Sequence, residues 1–413
     1  MRYATRLAVI AFLLSTLPSS AGQELREVVL RKSALKSGLI PAVETRVAVD
    51  AQMVTAGRLL FQSRSLSLDK QIACASCHVD RFGSADGLPN AFGTEASGQG
   101  LARMIGGGDI IPRNTLAFWG RGGKQFNIFF WDGKVDASSG TLHSQFAGKE
   151  PSDDALVVAV HLPPVEIGEM VMDSPANNAL ETESVSTAKQ VYAILIERIR
   201  AMPELSGPLA QAAGKPVRAL TFSDIAEAIA SFIRENFAVR STRFHDFVFN
   251  DGELSAQELA GGLLFYGKAG CSGCHNGPYF SDMDFHAIPF PQVGFGKNGF
   301  GVDYGRFNVT MDPDDRYKFR TPPLYNVTKT APYSHSGSLY KLGDAIRAHV
   351  DPLALYDPGS MTDIERTEFY ARLKTWSGEP INALHLAEDE VAALEAFLAT
   401  LEYDSLLSTI ETD

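Results

Sequence analysis

The sequence predicts a mainly α-helical protein with little β structure, arranged as two domains with long Gly/Pro-rich loops. Three observations predict it. Apolar residues recur at helical spacing in several separated stretches. The segments between those stretches are long and punctuated by Gly and Pro, which break regular elements. A chain of 413 residues also exceeds one ordinary core, and one pentapeptide pattern occurs once in each half: Cys74-Ala75-Ser76-Cys77-His78 and Cys271-Ser272-Gly273-Cys274-His275.

Residues 1–21 carry Arg2 and Arg6, an apolar run from Leu7 to Leu14, then Ser19-Ser20-Ala21, the pattern of a signal peptide cleaved near Ala21. The run is short for a membrane span, no other segment approaches about 18 uninterrupted apolar residues, and no Cys near the cleavage site offers a lipid anchor. Residues 52–62 place Val54, Leu59, Leu60 and Phe61 near one helix face just before the first pentapeptide. A long loop is expected over 80–128, then helices at 188–203 and 222–238. Ser255 and Glu258 form a capping box for a helix at 255–267 that runs into the second pentapeptide. A second long loop covers 276–338. Helices at 341–349, 363–376 and 388–402 follow, the last spacing Val391, Leu394, Phe397, Leu398 and Leu401 for burial. The natural division is a domain of residues 22–220 and another of 221–413.

Cys-x-x-Cys-His is the attachment sequence for c-type haem: two thiols bond the porphyrin and the histidine ligates iron. The chain has four cysteines, and the two motifs use all of them. A Cys₄ zinc site would leave both histidines unexplained, and a thioredoxin-like dithiol would need a βαβ context that is not visible. The expectation is therefore two covalent haems in two cytochrome c-like domains, with the long loops wrapping haem faces that replace part of a conventional core. Export fits the periplasm, where such haems are attached. The formal charge of −12 becomes −14 once Arg2 and Arg6 leave with the signal peptide; an acidic chain with no basic, aromatic-interleaved run points away from nucleic acid and from anionic lipid. Gly294-Phe295-Gly296-Lys297-Asn298-Gly299 fits a nucleotide-binding Gly pattern on paper, yet it lacks the βαβ setting and is expected to be a flexible loop. Asp282, Asp284, Asp312, Asp314 and Asp315 are expected to be solvated loop acids rather than calcium ligands.

The ordered set of both haem motifs, Phe130-Trp131-Asp132-Gly133, Pro164-Val165-Glu166-Ile167-Gly168 and Thr330-Ala331-Pro332-Tyr333-Ser334-His335-Ser336-Gly337 resembles the bacterial di-haem cytochrome c peroxidases and the related protein-modifying di-haem enzymes, over roughly residues 50–400. One such relative matures the tryptophan-derived cofactor of methylamine dehydrogenase, and another is linked to methanobactin copper-peptide clusters. The resemblance implies that the N-terminal haem, on His78, reacts with H₂O₂ and that the C-terminal haem, on His275, relays electrons. It implies that Trp131 lies between them and that Glu166 is the distal acid–base residue. A carboxyl among Leu162, Pro163, Pro164, Val165 and Ile167 should be poorly solvated, which would raise its pKa; Glu169 is the rival. The resemblance also implies one Ca²⁺ held by Asn114 and the backbone carbonyls of Thr330 and Pro332. It further implies a family histidine at His335, and a homodimer of the kind peroxidase relatives form.

Two departures shape the subtype. Some relatives block the peroxide haem with a histidine from the loop after the first motif; here that stretch is Ala91-Phe92-Gly93-Thr94, and residues 79–142 hold no histidine. Where relatives offer a methionine to the second haem, this chain has His349, with no methionine between Met311 and Met361; Tyr356 and Met361 are the alternatives nearby. Imidazole in place of thioether lowers the haem potential. The expected activity is that of a periplasmic peroxidase whose oxidising equivalents pass through Trp131 and the second haem to a partner protein. The alternative is H₂O₂ removal with electrons from a small cytochrome or cupredoxin. A non-catalytic electron carrier would leave Glu166 without a role.

Overall fold

A computed structural model describes residues 19–182, 184–376 and 385–403. The expected signal peptide lies outside the described residues except for its last three, which open the first helix. Helix dominates, and every strand among the described residues is two residues long. The helices of seven residues or more are α1 Ser19–Lys36, α2 Ala51–Gln62, α3 Ala155–His161, α4 Val185–Arg200, α5 Pro203–Ala213, α6 Phe222–Asn236, α7 Arg243–Phe249, α8 Ala256–Tyr266, α9 Leu342–Val350, α10 Asp363–Thr375 and α11 Glu388–Ala399. No described helix is long and apolar enough to cross a membrane.

Local chemistry sets several of the boundaries. Asp50 caps α2 by accepting from the amides of Gln52 and Met53 at 2.8 and 2.9 Å. The Ser255–Glu258 box starts α8, each side chain accepting the other's backbone N–H. The helix expected over 188–203 is Val185–Arg200, and Pro203 opens a separate helix, since proline suits the first turn and cannot continue the previous one. Helices α1, α3, α5 and α7 were not expected; α3 and α7 are seven residues each, too short for periodicity to stand out.

Two helix pairs form the core, and they are built alike. In α2, a Cβ on Gly57 would stand 1.8 Å from the carbonyl oxygen of Ala228 in α6 and 2.9 Å from the Cβ of Phe232. In α8, a Cβ on Gly261 would stand 1.8 Å from the carbonyl of Ala393 in α11 and 2.8 Å from the Cβ of Phe397. One turn further on, Phe61 meets Phe232 with ring centres 5.0 Å apart, and Phe265 meets Phe397 at 5.1 Å. Each pair is thus a close crossing where a glycine admits the partner backbone and a phenylalanine four residues later locks it. Each Gly-bearing helix leads into one Cys-x-x-Cys-His motif.

Packing interleaves the two halves of the sequence. Helix α6 lies beyond the 220/221 division, yet it packs on α2 and α3 of the N-terminal half. Helix α1 packs on α8 of the C-terminal half, with Leu30 over Gly262 and the Arg31 guanidinium 4.0 Å from the Phe247 ring centre.

Overpacking by one methyl costs about 1–3 kcal/mol, and here the obstructing atom is backbone, which has no rotamer to escape into. Gly57→Ala and Gly261→Ala are each expected to lower Tm by several degrees, whereas Gly207→Ala in α5, where a Cβ meets nothing within 4 Å, should leave it unchanged or raise it. Thermal melts of the haem-loaded proteins check this; equal Tm for Gly57→Ala and wild type would show that the crossing tolerates a side chain.

The short strands pin the long loops. Ala91–Phe92 pairs antiparallel with Ile110–Ile111, and Ile128–Phe129, Val135–Asp136 and His143–Ser144 make a three-stranded sheet. Phe285–His286 pairs with Phe319–Arg320. The segment Gly294–Gly299, expected to be a flexible loop, contains a hairpin instead, Phe295–Gly296 against Gly299–Phe300.

Candidate active site

Each Cys-x-x-Cys-His motif is a single turn following one of the paired helices. Cys74–Cys77 is one helical turn and Cys271–Gly273 a 3₁₀ turn; the amides of His78 and His275 close back on the carbonyls of Cys74 and Cys271 at 3.0 and 2.9 Å. This curl puts two sulfurs and an imidazole of each motif on one cavity wall, and the four cysteines form no disulfide. His78 Nδ1 lies 2.9 Å from the Ser84 carbonyl and His275 Nδ1 2.9 Å from the Phe280 carbonyl. A carbonyl only accepts, so Nδ1 carries the proton and Nε2 keeps its lone pair for a metal. Burial pushes His78 down to about 3 and His275 down to about 4, so both rings are neutral.

The two cavities suit haem by more than their cysteines. Their walls are largely apolar: Phe61, Ile72, Phe118 and Leu156 line the first, and Phe265, Leu324, Leu394 and Leu398 the second. Each also holds one buried arginine with an N–H that has no partner among the described residues, Arg121 Nε in the first and Arg320 Nη2 in the second. Burial pushes these guanidinium groups down to about 9 and about 10. A buried cation short of an acceptor calls for an anion, and a planar apolar group bearing carboxylates meets both demands.

The cavities differ in what faces the histidine. In the second, His349 on α9 stands across from His275 with ring centres 6.3 Å apart, its Nδ1 held 2.7 Å from the Ala345 carbonyl one turn back. Two imidazole nitrogens each about 2 Å from a shared metal put their ring centres roughly 6 Å apart. Tyr356 and Met361 do not line this cavity; the Tyr356 ring packs on Phe369 at 5.5 Å. In the first cavity His78 is the lone histidine of the lining, and Ala91 and Gly93 stand where the loop after the motif approaches. The Thr94 amide fixes that loop by donating to the Gly168 carbonyl at 2.8 Å.

Trp131 lines both cavities, its indole N–H donating to the Asn114 carbonyl at 2.8 Å. Glu166 lines the first cavity, but its electrostatics are the reverse of the expectation. Lys134 at 3.5 Å and Lys297 at 2.6 Å hold its carboxyl down at about 2, outweighing burial, so it is ionised rather than raised. The local sequence Leu162–Ile167 is apolar, but the charges arrive from elsewhere in the chain. The acid whose pKa is raised is Glu169, by burial first and then by the neighbouring Glu166 charge; it lines the same cavity.

Behind Trp131 lies a buried ion network that sequence reading missed. Arg113 bonds Asp132 at 2.6 Å and Asp303 at 2.8 and 3.0 Å. It holds both carboxyls well below the usual range. Nothing local signalled it, because Asp303 is far away in sequence. The Asn114 side-chain amide donates to the Pro332 carbonyl at 2.6 Å, so those two expected calcium ligands meet directly; the Thr330 hydroxyl turns to Val327 at 3.0 Å. His335 is buried, stacked on Phe319 at 3.8 Å with Nε2 2.9 Å from Gln292 Oε1, and it lines the second cavity. Asp282 is not simply solvated: it pairs with His286 at 2.8 Å and, ahead of the neighbouring Cys274 sulfur, pushes that imidazole up.

Residues 51–253 match the family model described as di-haem cytochrome c peroxidase. That segment belongs to the di-haem cytochrome c peroxidase family. It is 26% identical over 377 residues to the cytochrome-c peroxidase IdrP2 of Denitromonas iodatirespirans, covering 84% of this chain and 87% of the relative. It is 26% identical over 341 residues to the methylamine utilization protein MauG of Methylorubrum extorquens, covering 80% and 79%. A crystal structure of a MauG-like protein associated with microbial copper homeostasis superposes with a TM-score of 0.63 at 23% identity, covering 90% of this chain and 94% of that one, a likeness of fold. The protein is thus a haem peroxidase of mainly α fold, and its family carries two c-type haems.

Proposed function

We propose that this peroxidase is exported to the periplasm, takes H₂O₂ at the haem of Cys74, Cys77 and His78, and passes the oxidising equivalents by way of Trp131 and the second haem to a partner protein. The observation that carries the reading is the asymmetry of the cavities: one has two histidines 6.3 Å apart, the other a single histidine and an ionised glutamate. Haem supplies an iron that binds peroxide and accepts its oxidising equivalents. Cys74, Cys77, Cys271 and Cys274 would attach the porphyrins; His78 would hold the first iron, and His275 and His349 would hold the second.

Glu166 then acts as a proton carrier. Its ionised carboxylate takes the proton from the near oxygen of H₂O₂ and returns it to the far oxygen, so that the O–O bond breaks with water as leaving group. Full reduction consumes two electrons and two protons per H₂O₂, and the electrons come from the partner. Trp131 is the side chain shared by both cavities, and its N–H bond to Asn114 fixes the ring between them. Calcium would draw on the Asn114 amide oxygen and the carbonyls of Thr330 and Pro332, and it requires the present Asn114–Pro332 hydrogen bond to give way. A homodimer belongs to the same proposal, by analogy with the peroxidases. H₂O₂ removal with a small cytochrome or cupredoxin as donor uses the same residues and differs only in the partner.

EPR of the resting ferric protein tests the asymmetry. One high-spin and one low-spin haem are expected; two low-spin signals would remove the open peroxide site.

A further inference from the structure

The hairpin around Gly294–Gly299 holds none of the groups that would attach haem or carry a proton, yet Lys297 on it lines the first haem cavity. Its base is fixed in the interior: Asp303 is fully buried, bonded to Arg113, and accepts from the Lys297 amide at 3.2 Å. Asn90 of the first long loop adds a side-chain bond to the Phe295 carbonyl at 3.1 Å. From this anchored hairpin Lys297 Nζ reaches Glu166 Oε1 at 2.6 Å, while Lys134 approaches the other oxygen at 3.5 Å. Both oxygens of the carboxylate are therefore held, one from each half of the chain.

The place matters as much as the contact. Glu166, Lys134 and Lys297 all line the first haem cavity; Glu166 also lines an outer pocket beside Asp173 and Glu181, and the lysines a polar pocket beside Asp136, His143 and Arg306. The bridge stands where the inner cavity meets its two outer ones. The other charged groups facing the carboxylate are Glu169 inside the cavity and Asp132 with Arg113 behind the lysines.

Resting on Glu166 as the proton carrier, we propose that Lys297 is its positioning residue: the C-terminal hairpin holds one carboxylate oxygen in place at the mouth of the N-terminal haem cavity, while Lys134 stands by the other. Lys134 alone, at 3.5 Å and without a short hydrogen bond, does not fix the oxygen that Lys297 holds. An opposite charge at such distance lowers a carboxyl by roughly 1–3 pH units. Its removal moves the acid limb of any proton-accepting step upward, because the base form is lost at a higher pH.

Cyanide binding to the ferric holoenzyme reads this without turnover, since HCN must give its proton to a base as the carbon binds iron. Stopped-flow association rates are measured against pH for wild type, Lys297→Met, Lys297→Arg and Glu166→Gln, with the haem absorption spectrum reporting an intact fold. The expected result is an acid limb raised by about one pH unit or more in Lys297→Met, restored in Lys297→Arg, and absent in Glu166→Gln. A Lys297→Met profile that overlays wild type, with the limb still lost in Glu166→Gln, overturns the role of Lys297 and leaves Glu166 standing. A limb that survives in Glu166→Gln places the base elsewhere and overturns both.

Discussion

Glu166→Gln is expected to slow the reaction with H₂O₂ by roughly 10²–10⁴-fold, the usual worth of a positioned acid–base group, while both haems remain attached. Glutamine keeps the length and shape of the side chain and its contacts with the cavity wall, but it has no carboxylate to accept a proton. The native carboxylate suits the first proton transfer, because Lys297 and Lys134 keep it ionised from about pH 2 upward. At neutral pH the base form is already present. The sign of the pH dependence follows. A carboxyl depressed in the folded protein contributes its ion-pair stability above its ordinary pKa and loses it as pH falls toward 2, so neither activity nor the bridge should have an acid limb from Glu166 near neutrality. Stopped-flow absorbance after mixing with H₂O₂ measures the rate, and a pyridine haemochrome fixes the haem count at two per chain. Retention of the wild-type rate would move the acid–base role away from Glu166, with Glu169, half-buried in the same cavity and raised in pKa, next in line.

How far the sequence could be read depended on how local each signal was. The helices that lead into the haem motifs carry their caps in sequence, and Asp50 and the Ser255–Glu258 box start them where expected. The motif histidines close their own turn through the amide, while their rings are oriented by carbonyls only six and five residues on, at Ser84 and Phe280, so their geometry is still local. The glycine crossings were not legible, because Gly57 and Ala228 become partners only once α2 and α6 touch; the recurrence of Gly-x₃-Phe facing Ala-x₃-Phe in the second pair is visible only after the fold is known. The same reason explains why a division near 220 does not separate the packing: α6 returns to the first haem motif.

The charge environment of Glu166 was hidden for a related reason. Its flanking residues are apolar and argue for a raised pKa, yet charge outweighs burial when two ammonium groups stand within 3.5 Å. One of them, Lys297, belongs to a Gly-rich segment whose composition predicts flexibility. What makes that segment rigid is Asp303 bonded to Arg113, an interaction spanning 190 positions. Long-range ion pairs of this kind leave no periodicity and no spacing to detect.

His349→Ala is expected to convert the low-spin ferric signal to high-spin and to leave the N-terminal haem unchanged. The geometry makes His349 a choice with few rivals: its helix is fixed by the burial of Ala345 and Ala348, its Nδ1 is engaged at 2.7 Å by the Ala345 carbonyl, and its remaining nitrogen is left for the cavity it shares with His275. Removing the side chain leaves a gap on α9 that Phe290, with its ring centre 5.2 Å away, cannot fill with a ligand. His349→Met supplies a thioether and should raise the midpoint potential of the second haem, on the order of 100 mV or more, because axial ligands tune haem over a range of about 0.8 V. A potentiometric titration reads the shift. The raised potential should also slow transfer from the first haem to the second, since the driving force for oxidising the second falls by the same amount. If His349→Ala leaves the low-spin signal in place, the ligand is another residue and Tyr356 and Met361 must be brought into the cavity by a movement of the segment that follows α9. An intact low-spin haem in His349→Ala that turns high-spin on adding Tyr356→Phe would identify the tyrosine.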